Sequence, residues 1–339
     1  MRKVIICSLI FLVFSMGALA QKNKGFQFKV AFYNTENLFD TIDDPHKSDN
    51  DFLPTSKVPW TSQRYFLKLD HIARALASID SIQLPAIIGL AEIENMQVLQ
   101  DLIHKTRLQK GNYQGVLEEG KDPRGIDVAL IYRKDIFKCL GTAAFPSAAN
   151  FKTRLILYVK LEDAKKDTFH LFVNHWKSRE GGAEGTEGKR IENAQIMRHL
   201  ADSIFGLNSH ANIILVGDFN DEPSNKSIAE TLNAKAPGKK PISTSLYNLL
   251  YRRQLDGEGT LYYKDWDVFD QIIVSGNLLA KKRGKGPTIM APYSYIFTPE
   301  WLLYKQKNGM QVPNRTASGK EYFGGYSDHL PVYTIVVEN

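Results

Sequence analysis

The segment Ile213-Ile214-Leu215-Val216-Gly217-Asp218-Phe219-Asn220 sets four aliphatic side chains directly before a carboxylate and an amide. A short apolar run without alternation reads as a strand covered on both faces. Polar groups at the end of such a strand sit where a rigid sheet carries its sites. Asp218 can ligate a hard cation or orient a water. Asn220, two residues on, can hold a phosphoryl oxygen or fix Asp218. An Asx turn closing the strand has the same signature, so the reading depends on whether other strands end the same way.

They do. Strand-like runs cover Phe28–Asn34, Ala86–Ala91, Ile126–Tyr132, Leu155–Lys160, Phe169–Asn174, Val268–Val274 and Pro331–Val337. Several end abruptly in polar residues: Asn34-Thr35-Glu36, Glu92, and Asn174-His175. Glu92 follows a wholly apolar stretch, where a carboxylate is costly unless a cation compensates its desolvation; Glu94 is at most a supporting residue. His175 with Lys177 or Arg179 can neutralise a phosphate. Asp270 enters a strand, where an acid can orient a histidine. Asp328-His329 precedes the last strand and suits a metal ligand beside a general base or charge stabiliser.

Helical periodicity covers Thr61–Ile79, Met96–Leu108, Ile191–Phe205 and Ser227–Leu232, with Ser62 and Asn95 as N-caps of the first two. The Gly- and charge-rich stretch Arg179–Arg190 reads as a mobile loop beside the rim. Residues 233–262 and 280–320 show little periodicity.

The 339 residues, 43% hydrophobic and 24% charged, exclude a disordered acidic protein, a collagen-like repeat and a small disulfide scaffold. Arg2-Lys3, the apolar run 4–14 and Ala18-Leu19-Ala20 read as a cleaved secretory signal over residues 1–20, leaving one domain at 21–339 in a secreted or periplasmic protein. The apolar run is too short to span a bilayer comfortably, and no later segment is long and apolar enough to do so. Removing the leader takes two charges from the net +6 and leaves Cys139 as the lone cysteine, so no intrachain disulfide forms. The weak positive balance permits a nucleic-acid or polyphosphate substrate. Lys281-Lys282-Arg283 and Lys239-Lys240 read as solvated surface. Nothing in the chain implies a stable protein partner.

The ordered set Asn34/Glu36, Glu92, Arg124–Tyr132, Asn174-His175, Gly217–Asn220, Asp270 and Ser327-Asp328-His329 resembles the endonuclease/exonuclease/phosphatase superfamily, the DNase I-like group. The Asn34-Thr35-Glu36-Asn37-Leu38-Phe39-Asp40 start resembles a secreted bacterial branch of it. The resemblance implies a four-layer α/β/β/α sandwich, two packed mixed sheets flanked by helices. It implies a divalent cation, usually Mg2+ and sometimes Mn2+ or Ca2+, on Glu92 with Asn34, Asp328 and Glu36. It implies that Asp218 orients or deprotonates the water and that Asn220 supports Asp218 and the phosphate. His329 contacts the phosphate or transfers a proton, Asp270 fixes its tautomer, and His175 binds the phosphate from the other side. Asn34, Tyr132, Asn174, Lys177 and Arg179 are the substrate-side candidates. The implied reaction is metal-dependent phosphodiester hydrolysis, with nucleic acid as substrate; a phosphomonoester or a lipid or inositol phosphate is the alternative, and a catalytically retired binding module ranks below both.

Overall fold

A computed structural model describes residues 26–147, 153–280 and 286–338. The proposed leader and Lys281-Lys282-Arg283 lie outside them. Two seven-stranded sheets form the body. The first contains β1 (Phe26–Leu38), β2 (Ile87–Ile93), β3 (Tyr113–Leu117), β4 (Asp127–Arg133) and the C-terminal strand Val332–Glu338. Its central order is Val332–Glu338, β1, β2, β4, β3, with β1 and β2 parallel. The second runs β5 (Phe137–Pro146), β6 (Leu155–Asp163), β7 (Thr168–His175), β8 (Asn212–Asp218), then the strand Asp270–Ser275 and two short strands, with β7 and β8 parallel.

The aliphatic runs form strands because both their faces are covered. Within β8, Ile214 and Val216 point into the layer between the sheets, beside Val30, Leu130, Val173 and Ile272. Their neighbours Ile213 and Leu215 point outward, against Met197 and Ala201 of α3 (Ala183–Leu207). On the outer face of the first sheet, α1 (Ser62–Ile79) and α2 (Met96–His104) bury Leu69, Ile72, Leu76 and Leu99 against Tyr33, Ile88 and Leu90. The result is the four-layer α/β/β/α sandwich, with each fully buried Leu, Ile or Val contributing about 1.5–3 kcal/mol.

Four local expectations change. The cap of α1 is Thr61, not Ser62: its hydroxyl accepts from Arg64 N. The predicted helix Met96–Leu108 breaks after His104, where the Thr106 hydroxyl accepts from Leu108 N and starts a tighter turn over Arg107–Gly111. Ser227–Leu232 is a single π-helical turn, Ser227–Thr231. The stretch Arg179–Arg190 is largely helix rather than loop, since α3 already begins at Ala183. Local propensity is poor there, but Arg190 is buried, pairs with Asp221 at 2.8 Å and donates to the Thr186 hydroxyl at 2.7 Å. Tertiary pairing overrides the glycine cost. Among the described residues, no helix is long and apolar enough to cross a membrane.

Candidate active site

The C-terminal ends of β1, β2, β7 and β8 meet at one edge of the sandwich. The second sheet delivers its residues by register. Parallel β7 places His175 beside Asp218, and the antiparallel strand Asp270–Ser275 places Asp270 beside Asp218 on the other flank. Gly217 makes the β7–β8 approach possible: a Cβ there would meet the Asn174 carbonyl oxygen at 2.5 Å.

The first sheet delivers its residues by breaking register. Between the pairs Asn34–Ala91 and Leu38–Ile93, β1 advances four residues while β2 advances two. Glu92 is thereby extruded with φ 63°, and Glu36 and Asn37 take φ 51° and 56°. Such left-handed backbone is uncommon outside glycine and clusters at functional sites. The β1 loop is tied to β2 by Thr35, whose hydroxyl donates to Ala91 O at 2.8 Å, and by Asn37 N, which donates to Glu92 Oε2 at 2.8 Å.

Asn34, Glu92, His175, Asp218, Asp270 and His329 converge. Asn34 Nδ2 donates to Asp218 Oδ2 at 3.0 Å and lies 3.5 Å from His329 Nε2. His175 Nε2 lies 3.5 Å from Asp218 Oδ2 and 3.9 Å from Glu92 Oε1. His329 Nδ1 is 2.7 Å from Asp270 Oδ2, and its Nε2 is 3.9 Å from both Asp218 Oδ2 and Asp328 Oδ1. Asn220 braces the acid: its backbone N–H donates to Asp218 Oδ1 at 2.9 Å, and its Nδ2 donates to Trp176 O at 3.2 Å.

The two histidines are held in opposite states. Burial alone would depress the His329 pKa, but Asp270, then Asp218 and Asp328, hold it well above the usual imidazole value. Burial, reinforced by Arg154, Arg124, His329 and Lys177, keeps His175 well below it. Burial also pushes Asp218 up to about 7, with Asp270 adding repulsion, against His329 and the Asn220 and Asn34 hydrogen bonds. A charged imidazole, a neutral one and a carboxyl poised near neutrality therefore share one pocket.

The donors suit a hard divalent cation. They are carboxylates, amide oxygen and imidazole, with no thiol. Glu92 Oε1 lies 3.9 Å from His175 Nε2, and among the described residues Asp270 Oδ1 is buried without a hydrogen-bond partner. Asp218, Asp270 and His329 also bring ligand atoms within 4.8 Å of one another. In that trio His329 Nδ1 lies 2.7 Å from Asp270 Oδ2. Of the predicted ligands, the Asn34 amide oxygen accepts from Glu36 N at 3.0 Å and Asp328 Oδ2 accepts from Arg315 at 3.1 Å.

Some predicted residues serve elsewhere. Both oxygens of Glu36 are taken: Arg315 Nε lies 3.2 Å from Oε1, while Thr316 N and Lys68 approach Oε2. Glu36 anchors the loop 314–317 rather than offering an open ligand. Tyr132 lies at the far end of β4, opposite Ile87, while the rim end pairs Asp127 with Ile93. Five residues at about 3.3 Å each put it roughly 17 Å from the site. Asn174 is wholly buried, its amide bonded to Trp176 Nε1 and Val216 O. Arg179 braces the loop after β8 through Asn220 O, Asp221 and Asn225. Lys177 lines a pocket beside the rim.

Sequence reading missed Arg315, Lys68 and Thr316, which hold Glu36, although Arg315 also pairs with Asp328 at 3.1 Å. They come from a stretch without periodicity and from a helix face read only as apolar. It also gave no role to Arg124 and Arg154, which pair with Asp122; Arg124 stood in plain view within the quoted motif.

The chain belongs to the endonuclease/exonuclease/phosphatase family, whose model matches residues 29–338. Members of this family are hydrolases of phosphoester bonds and are generally divalent-metal dependent. No curated protein matches the chain in sequence. Among solved structures, an endonuclease/exonuclease/phosphatase family protein from Bacteroides thetaiotaomicron is 16% identical, with 93% of this chain and 96% of that one covered and a TM-score of 0.57. A mannosyl-6-phosphatase from the same organism is 17% identical, covering 91% and 99%, with a TM-score of 0.55. D. rerio TDP2, complexed with a single-strand DNA product, is 15% identical, covering 91% and 98%, with a TM-score of 0.55. Likeness at this identity establishes the fold.

Proposed function

We propose that the chain is a secreted, divalent-metal-dependent phosphodiesterase that acts as an endonuclease on DNA or RNA. The observation that carries the reading is the meeting of Asp218 and His329, 3.9 Å apart, with His175 lying between Asp218 and Glu92 at 3.5 and 3.9 Å, on a rim where Asp270 sits 2.7 Å from His329. Asp218, with a pKa of about 7, accepts the proton of the attacking water near neutral pH. The His329 cation offsets the charge that develops on the phosphoryl oxygens, and Asn34 and neutral His175 hold those oxygens by hydrogen bonds. Glu92, Asn34 and Asp328 would hold Mg2+, or Mn2+ or Ca2+ in its place, and the bound cation would supply polarisation of the phosphoryl group. Asn220 keeps Asp218 aimed.

Nucleic acid as the substrate is supported by the DNA product bound to the TDP2 neighbour and by the mildly basic chain. Secretion is supported by the basic start, the apolar run and the Ala18-Leu19-Ala20 site; an N-terminus at Gln21 in protein recovered from outside the cytoplasm is the expected result. Plasmid nicking or RNA cleavage that EDTA stops and Mg2+ restores is the expected activity. Active protein that leaves both nucleic acids intact while releasing phosphate from monoesters would establish the second reading, a phosphomonoesterase, which the mannosyl-6-phosphatase neighbour favours.

A further inference from the structure

The resemblance gives Glu36 to the bound cation, yet the chain's own cations already stand against it. Lys68 is a buried ammonium on α1, its side chain 1% exposed. Its Nζ lies 3.8 Å from Glu36 Oε2, donates to Tyr326 O at 2.8 Å and donates to the Thr316 hydroxyl. Thr316 N also donates to Glu36 Oε2, at 2.5 Å. Arg315 takes the other oxygen. Its Nε donates to Glu36 Oε1 at 3.2 Å and to Ala317 O at 2.7 Å, and its Nη2 donates to Asp328 Oδ2 at 3.1 Å.

A lysine is almost never fully buried unless it is paired. Lys68 sits among aliphatic and aromatic residues on the buried face of α1, and burial works against its charge. Glu36, Asp328 and Glu92 act together to hold its proton. The ammonium therefore stands in the field of all three carboxylates that the resemblance gives to the cation. Those carboxylates carry three negative charges, and Lys68 and Arg315 already offset two of them. One divalent cation turns the remainder into a small positive excess, which suits an anionic ester. A second would set its charge beside a buried ammonium and a guanidinium, where water and salt screen repulsion poorly.

We propose that the centre takes a single divalent cation, at Glu92, and that Lys68 and Arg315 are fixed cations in the place of a second one. The inference rests on the metal-dependent phosphoesterase reading above and goes beyond it by giving the number of ions and a purpose to a buried lysine. Lys68 and Arg315 act through Glu36 and Asp328, as positioning residues. Their charge needs no capture from solution, so this end of the rim keeps its positive field at any metal concentration.

Mn2+ titrated into the purified protein, with the free ion counted by electron paramagnetic resonance, tests the number directly. One Mn2+ per chain is expected. Glu36→Gln should keep that count and weaken binding less than Glu92→Gln, which should cost about 10-fold or more. Arg315→Met frees one oxygen of Glu36 and one of Asp328, and should add a second, weaker Mn2+. Two Mn2+ on the wild type, a loss in Glu36→Gln as large as that in Glu92→Gln, or no second ion in Arg315→Met overturns the inference. The wild-type count and Arg315→Met, at a half-exposed side chain, decide it even where Glu36→Gln, at a buried one, does not fold. EDTA-sensitive cleavage of DNA and RNA is scored separately. One Mn2+ without cleavage rejects the phosphodiesterase reading alone; two Mn2+ with cleavage intact reject the fixed-cation inference alone; no bound Mn2+ rejects both.

Discussion

The two sheets bring their halves of the site together by different means. In the second sheet, His175, Asp218 and Asp270 are adjacent because three strands run in regular register to the rim. In the first, Glu92 and Asn34 are presented by a paired irregularity whose residues Glu36, Asn37 and Glu92 take left-handed backbone. Regular register is rigid but can only place a side chain on one of two faces. A bulge redirects a side chain out of that alternation at a cost in backbone strain. The second sheet thus supplies His175, Asp218 and Asp270, while the first supplies Asn34 and Glu92 and, just before its C-terminal strand, His329, so the His329–Asp270 pair spans both sheets.

The contrast can be broken from either side. Asp218→Ala is expected to lower kcat for phosphodiester cleavage about 1,000-fold with the fold intact, by rate measurements alongside circular dichroism. Asp270→Asn should cost about 100-fold and also reshape the pH profile. His329 is held charged chiefly by Asp270, so without it the imidazole loses its proton at lower pH. The alkaline limb of kcat/KM therefore moves acidward; an unmoved limb would show that His329 does not act as the cation. On the first sheet, Glu92→Gln should raise the Mg2+ concentration for half-maximal rate by about 10-fold or more, with kcat recovered at high Mg2+.

Smaller effects sharpen the structural side. Gly217→Ala drives a methyl group to 2.5 Å from the Asn174 carbonyl, and should cost about 2 kcal/mol in denaturant unfolding. Asn37→Val puts a β-branched residue at φ 56°, and should cost about 1 kcal/mol. If the valine variant is the less stable of the two, strain in the bulge rather than close strand approach governs the rim.

All eight aliphatic runs became strands, because a continuous apolar run has no other way to bury both faces in a two-sheet body. Asn34, Glu92, His175, Asp218, Asp270 and His329 were readable for a related reason: each interrupts or ends such a run, where a polar residue needs a purpose. Glu36 read the same way yet became an anchor for Arg315 and Thr316, since nothing local reveals which partners a distant loop brings. Tyr132 ended a run too, but β4 is antiparallel to β2, and direction cannot be read from an apolar pattern.

The sequence by itself determined which residues form strands, which carboxylates and histidines stand at their ends, and the family they belong to. Those properties depend on side-chain chemistry and short-range order. Tertiary structure alone decided that Asp270 sits 2.7 Å from His329, that Glu36 is spent on Arg315 and Lys68, and that α3 starts eight residues earlier than its periodicity. Each of these depends on groups tens to hundreds of residues apart, whose meeting is fixed by strand order and packing rather than by any local pattern.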